Sequence, residues 1–242
     1  MLNNIRVMFS RGNDVKYISH LDMMKLFERA FRRSRIPIAY SQGFNPHPQL
    51  VFGLPLSVGV TSEAEYADFE LDSEIKPEEF MSVLNRYLPE GIKIIKAAQR
   101  KTKANIMASI AAARYKVSLV ARPVIEIKEI KDSFSKLLER ENLFVNKESK
   151  RKVIKVDIRP MIYSLEFLEE SVEVGDQETL FCLSMLLSAG SVSNLKPELV
   201  LNAYNDFSGR NIEIIKIHRT GLFVCNGDRL ADPLEDNSFL AL

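Results

Sequence analysis

Residues 19–42 read SHLDMMKLFERAFRRSRIPIAYSQ, and the fold turns on how they are divided. Ser19 is a good helix N-cap, and Asp22 three residues on resembles a capping box built with the shorter acid. Leu21, Met24, Phe27 and Phe31 follow helical spacing and are expected to bury one face. Pro37 stops the helix. PIAYSQ then reads as a strand, and IRVMFSR at 5–11 reads as the strand before the helix. Downstream, EYADFEL is a strand, KPEEFMSVLNRYL a helix with Pro77 near its start, and GIKIIKAAQ a strand. The order is βαββαβ, the ferredoxin-like unit, in about 100 residues.

The second half has the same rhythm. RYKVSLV is a strand and IEIKEIKDSFSKLLERE a helix; LFVNK and KVIKVDIRPMIYSLEFL read as strands. TLFCLSMLL fits either strand or helix. KPELVLNAYNDF is a helix, and IEIIKIHRT with GLFVCN reads as a closing hairpin. The expected architecture is α+β: tandem ferredoxin-like units with antiparallel sheets, one over 1–100 and one over 110–242 with extra strands. Residues 98–113 form the junction. No sequence repeat stands out beyond the shared order of elements.

The chain has 242 residues, enough for one large domain or two small ones, and its 46% hydrophobic content suits a folded protein. No apolar run reaches the ~20 residues that span a bilayer. The first residues read as a strand and lack a signal peptide's apolar core. Cys182 and Cys225, the two cysteines, suit a reducing cytoplasm. Two thiols do not supply the three or four cysteine ligands of an iron–sulfur cluster. No P-loop, GxGxxG, HExxH or GxSxG is present, so nucleotide hydrolysis, dinucleotide chemistry and serine hydrolysis find no support. No cofactor is implied.

The net charge of +1 hides a segregation. Residues 1–52 carry +5, 61–90 carry −7, 91–160 carry +11 and 161–242 carry −8. Basic patches attract polyanions by neutralising phosphates and releasing counterions; blocks of opposite sign also pair with each other across a fold. On the first helix, Lys25, Arg29, Arg32 and Arg33 lie at i, i+4, i+7 and i+8, flanked by Lys16 and Arg35. Asp22 and Glu28 are the only acids on that helix, too few to pair these bases locally, so the stripe is expected to track phosphates.

Residues 40–60, YSQGFNPHPQLVFGLPLSVGV, contain no charged residue. Prolines stiffen this segment, and Gln42, Asn45 and His47 are candidates for directional contacts with a base or another polar ligand. Tyr17 and His20 sit where the first strand enters the helix. A histidine at a helix N-terminus is disfavoured as imidazolium by the helix dipole and can serve as a general base; a capping or packing role is the alternative. His20, His47 and His218 show no metal-ligand spacing. Asp157, Arg159, His218 and Arg219, in VDIRPMI and IHRTGLFV, are candidates for a second polar site, or for buried pairing of the arginines with Asp157 or Glu166. KESKRKVIK at 147–155 is a basic run for phosphate contact or a solvated hairpin tip.

The block from KYISHLD through YSQGFNPHPQLVFGLPLSVGV to EYADFEL, with VDIRPMI, SNLKPELVLNAY and IHRTGLFV later, resembles the bacterial radical-SAM-linked protein family across nearly the whole chain. Members of that family occur alone or fused to the C-terminus of a B12-binding-type radical SAM protein. The resemblance implies a radical SAM partner. This chain has no CxxxCxxC and is not itself such an enzyme. Genes of the family tend to lie near those for a ribonuclease and ribosomal proteins, which points toward ribosomal or transfer RNA. A fold-level similarity to CRISPR RNA-processing endonucleases implies a rival: metal-independent cleavage with His20 as base and Tyr17 or Lys16 assisting. The glycine-rich loop of those nucleases is not evident here. The leading expectation is an RNA-binding accessory module, not an enzyme on its own, with RNA contacts at Lys16, Lys25, Arg29, Arg32, Arg33, Gln42, Asn45, His47, Arg159, His218 and Arg219. A protein–protein adaptor without RNA contact is the third reading.

Overall fold

A computed structural model describes residues 4–100, 105–149, 152–226, 229–234 and 239–241. Lys101 and Lys103 of the junction and Lys150 and Arg151 of the 147–155 run lie outside the described residues. The fold is a mixed α/β arrangement in which every strand pairing described is antiparallel. It divides into two compact units, residues 1–112 with 219–242, and residues 113–218. This moves 219–242 out of the second domain expected over 110–242.

The first unit runs β1 (Asn4–Arg11), α1 (His20–Ser34), β2 (Leu50–Phe52), β3 (Thr61–Glu70), α2 (Pro77–Asn85), β4 (Ile92–Gln99) and the short α3 (Ile106–Ser109). β1 lies between β4 and β3, and β2 pairs β3 at Ala67–Phe69. The order across the sheet is therefore β4-β1-β3-β2. The strand expected at PIAYSQ makes only the isolated bridges Ile38–Leu71 and Tyr40–Pro48. Ala39 still donates to the Glu70 carbonyl at 2.8 Å, but the regular ladder on β3 is the one made by Leu50–Phe52.

α1 starts as its cap predicts: the Asp22 N–H donates to Ser19 Oγ at 3.2 Å, and the Ser19 hydroxyl donates to Asp22 Oδ2 at 2.7 Å. It ends at Arg35, in the left-handed region at φ 58°. Its buried face is Met23, Phe27, Ala30 and Phe31, not Leu21 and Met24, which stay exposed at 67% and 36%. The reason is aromatic. Phe27 meets Phe9, Phe52 and Phe69, while Phe31 meets Phe69 and Phe80, with centroids 5.1–6.1 Å apart. Those two rings set the helix's rotation, and positions 23 and 30 flank them at 100° per residue.

The second unit begins within β5 (Ile110–Ala121) and continues with α4 (Ile127–Leu138), the separate hairpin β6 (Phe144–Ser149) and β7 (Lys152–Asp157), β8 (Ile162–Phe167), β9 (Glu173–Val174), β10 (Thr179–Ser188), α5 (Pro197–Ser208) and the first half of β11 (Ile212–Asn226), whose residues from Arg219 on belong to the first unit. β12 (Arg229–Ala231) and β13 (Phe239–Ala241) belong to the first unit. The ambiguous TLFCLSMLL is strand β10. The expected hairpin at IEIIKIHRT and GLFVCN is one continuous strand, β11, because Thr220–Gly221 stays extended; the antiparallel partner of its second half is β12.

Sheet order here is β11-β5-β10-β8, so with the β6–β7 hairpin set aside the second unit repeats the order of the first. The duplication leaves a trace in the sequence. KPEEFMSVLNRYLPEGIKIIK (76–96) and KPELVLNAYNDFSGRNIEIIK (196–216) agree at eight of 21 positions. Asn85 clasps Ile94 through both its amide atoms, and Asn205 clasps Ile212 in the same way.

Charge is buried on both faces of β3. Asp68 accepts from Arg6 Nε at 2.7 Å and from the Ile106 N–H at 2.9 Å, with Arg100 at 3.5 Å. Glu65 accepts from Arg219 at 2.9 and 3.1 Å.

Candidate nucleic-acid interface

One flank of α1 faces an open groove. At 100° per residue, Asp22, Leu26, Arg29, Ala30 and Arg33 share that flank. Opposite them stand Arg86, Tyr87, Leu88 and Pro89, just beyond α2, and Tyr17 and Ile18 close one end. The cavity is about 770 Å³. Arg29, Arg33 and Arg86 are exposed and have no acidic partner among the described residues, and Asp22 is the only acid lining the groove. The floor is apolar at Leu26, Ala30 and Leu88; exposed Pro89 and two exposed phenols, Tyr17 and Tyr87, also line the groove.

The expected basic stripe therefore splits. Arg29 and Arg33 enter the groove, while Arg32 turns to Glu28 at 2.6 Å and Lys25 is exposed outside it. Arg86 and Tyr87 were not among the expected contacts, since they lie more than fifty residues along the chain.

A buried side chain holds Tyr17 in place. Arg11 donates through Nε to the Val15 carbonyl at 3.2 Å and through Nη2 to the carbonyls of Lys16, at 3.0 Å, and Ile18. It thus grips the backbone on both sides of Tyr17. The Gly59 N–H donates to the same Lys16 carbonyl at 2.8 Å, from a φ of +87° that suits glycine. Lys16 Nζ lies over one face of the Tyr17 ring, 5.1 Å from its centre. The charge-free stretch at 53–60 has this role: its backbone ties the turn down and covers the ion pair of Glu65 and Arg219, whose Nη1 also donates to the Leu54 carbonyl at 3.1 Å.

His20 lies elsewhere. It meets Phe52 edge-on at 5.6 Å and lines a separate cavity of about 20 Å³ with Arg11, Met23 and Glu65. That is room for roughly one water, not for a nucleotide. Burial pushes the Arg11 guanidinium below its usual value; Glu65 pulls it back up, and Arg219 adds to the fall. His20 and Tyr17 line different cavities, so the structure does not assemble them as a base and its assistant.

Gln42, Asn45 and His47 are exposed and do not line the groove. They sit on a loop clasped by Ser41 N–H to the His47 carbonyl at 2.9 Å and His47 N–H to Ser41 Oγ at 3.0 Å, with fully exposed Phe44 between. Arg219 is 2% exposed and spent on Glu65, which removes it from any surface site. Arg159 donates to the Leu138 carbonyl at 2.8 Å and caps the end of α4; Asp157 accepts from the N–H groups of Leu143 and Arg159, not from a guanidinium. His218 is half-buried in the second unit. Among the described residues, no three His, Cys, Asp or Glu side chains are placed to hold a metal ion, and no helix is long and apolar enough to cross a membrane.

The second unit differs at the positions aligned with Arg86 and Tyr87. By the alignment of 76–96 with 196–216, Arg86 corresponds to Asp206 and Tyr87 to Phe207. There Arg140 lies over Phe207 at 4.7 Å, and Arg210 pairs with Glu129 of α4 at 2.9 Å.

These features define a two-unit α/β protein with an arginine-lined groove on its first unit. The chain belongs to the family described as "Uncharacterized protein conserved in bacteria (DUF2344)", which it matches over residues 4–197. No curated protein matches it. Among solved structures it is similar to the crystal structure of a Cbf5-Nop10-Gar1 complex, at 9% identity and TM-score 0.48 over 90% of this chain and 48% of that one. It is similar also to an H/ACA RNP bound to a substrate RNA containing 2'-deoxyuridine, at 9% identity and TM-score 0.45 over 90% and 47%. A third is an unknown protein from Galdieria sulphuraria, at 13% identity and TM-score 0.25 over 88% and 98%. The chain spans about half the length of the first two.

Proposed function

We propose that the chain is an RNA-binding accessory module that presents RNA to a radical SAM partner, and that each of its units is ferredoxin-like. The observation that carries the RNA reading is the groove. Three guanidiniums without acidic partners converge on one concavity, with aromatic rings at its rim and an apolar floor. Guanidiniums bind phosphate oxygens through paired N–H groups, and aromatic rings stack on bases. A site for a small anion alone would need neither the length of the groove nor the tyrosines. The radical SAM partner is inferred from the sequence resemblance, and the ferredoxin-like reading from the β4-β1-β3-β2 order.

The test is fluorescence anisotropy with a 12-nucleotide mixed-sequence RNA, titrated across salt. Wild type is expected to bind with a steep salt dependence. Changing Arg29, Arg33 and Arg86 together to Ala should reduce the log–log salt slope by about 2, at ~0.7 per lost phosphate contact. No RNA binding, or an unchanged slope in the triple variant, would defeat the assignment. The partner is tested separately: co-elution with a radical SAM protein of the same cells is expected on size exclusion, and independent elution removes that half of the proposal.

A further inference from the structure

We propose that the groove takes single-stranded RNA in preference to duplex, with one unstacked base lying on the Tyr17 ring face turned away from Lys16. This rests on the RNA reading above and specifies its substrate class. Tyr17 is 72% exposed, yet the backbone on both sides of it is gripped by Arg11, itself only 3% exposed. Those bonds satisfy the buried guanidinium and also fix the backbone that carries the ring, and a stacking platform gains by losing little freedom on binding. Lys16 lies over one face of a ring that is largely exposed, so the opposite face is the one assigned to the base. Tyr87 supplies a second ring across the groove, and Leu26, Ala30 and Leu88 give base edges an apolar floor.

Arginines alone would serve a duplex, whose phosphates are outside. The tyrosines would not, because the base faces of a duplex are already stacked on one another. The second unit differs at the aligned positions. Asp206 stands in place of Arg86, and Phe207, in place of Tyr87, is covered by Arg140, so an exposed arginine beside an exposed phenol is not an automatic product of this βαββαβ order.

The experiment uses the full chain, the same 12-nucleotide RNA and its blunt 12-base-pair RNA duplex. Single-stranded RNA is expected to bind roughly tenfold or more tighter than duplex. Tyr17→Ala should lose about tenfold on the single strand, the scale of one stacked base, with its salt slope unchanged because no phosphate contact is lost. Tyr17→Phe should keep wild-type affinity, since stacking needs the ring and not the hydroxyl. Equal affinity for duplex, or wild-type affinity in Tyr17→Ala, overturns the proposal. If the arginine triple variant lowers the slope while Tyr17→Ala binds like wild type, this inference alone falls. If wild type binds no RNA, or the triple variant leaves the slope unchanged, the RNA reading falls and takes this one with it.

Discussion

Glu65→Ala is expected to destabilise the protein by about 3–5 kcal/mol, the cost of leaving a buried charge without its partner. Glu65 is the carboxylate that accepts from Arg219 at 2.9 Å, and its charge opposes the repulsion between Arg11 and Arg219. All three side chains are buried. Removing the carboxylate takes away the negative charge that faces both buried guanidiniums. Urea unfolding with a fixed m-value is the readout. Glu65→Leu combined with Arg219→Met should recover much of the loss, since a buried pair replaced as a whole by apolar groups is often near neutral. Arg11 remains charged in that variant, but its three backbone carbonyls still hold it. A Glu65→Ala protein within about 1 kcal/mol of wild type would show that the cluster is solvated and adds little.

Phe27→Ala should cost about 3–5 kcal/mol, the usual range for emptying a phenyl site in a packed core. Its ring is fully buried and meets Phe9, Phe52 and Phe69 at 5.4, 5.5 and 5.8 Å. The effect reaches the groove, because Phe27 seats the helix whose far flank carries Arg29 and Arg33. Thermal unfolding reads the stability; Phe27→Leu, which keeps most of the volume, should retain more of it. A loss below about 1 kcal/mol in Phe27→Ala would mean that α1 is held by its caps and flanks and not by this ring.

The stability of the fold and the proposed chemistry use different faces of the same helix. Phe27 and Phe31 bind α1 to the sheet, and this turns residues 22, 26, 29 and 33 toward the end of α2. Arg11 joins the two systems: it is buried beside Glu65, and its donors shape the turn that displays Tyr17.

Much of this is local and could be read from the chain. The start and stop of α1 depend on Ser19, Asp22 and Pro37, whose effects act within a few residues. The element order of both halves followed from hydrophobic period and turn residues. The same logic failed at PIAYSQ and at the supposed hairpin before GLFVCN. Extended conformation is local, but whether an extended segment pairs, and with what, depends on strands far away in sequence.

The site was legible only in part. Arg29 and Arg33 were visible as a helical stripe, yet Lys25 and Arg32 looked equivalent to them, because spacing does not reveal how a helix is rotated on its sheet. Tyr17 was visible as a residue at a strand–helix junction, without any sign of the Arg11 mount. The repeat of 76–96 at 196–216 is too weak to stand out in the sequence, and Arg86 and Tyr87 are only two of the thirteen positions at which the stretches differ. By itself the sequence determined the four longer helices, the cap of α1, the two-part rhythm and the excess of base over acid on α1. Only the tertiary structure decided that Arg219 is buried, that 219–242 completes the first unit, and that two arginines of α1 meet a third from beyond α2. Those outcomes arise where distant segments pack together, and packing is a property of the folded chain.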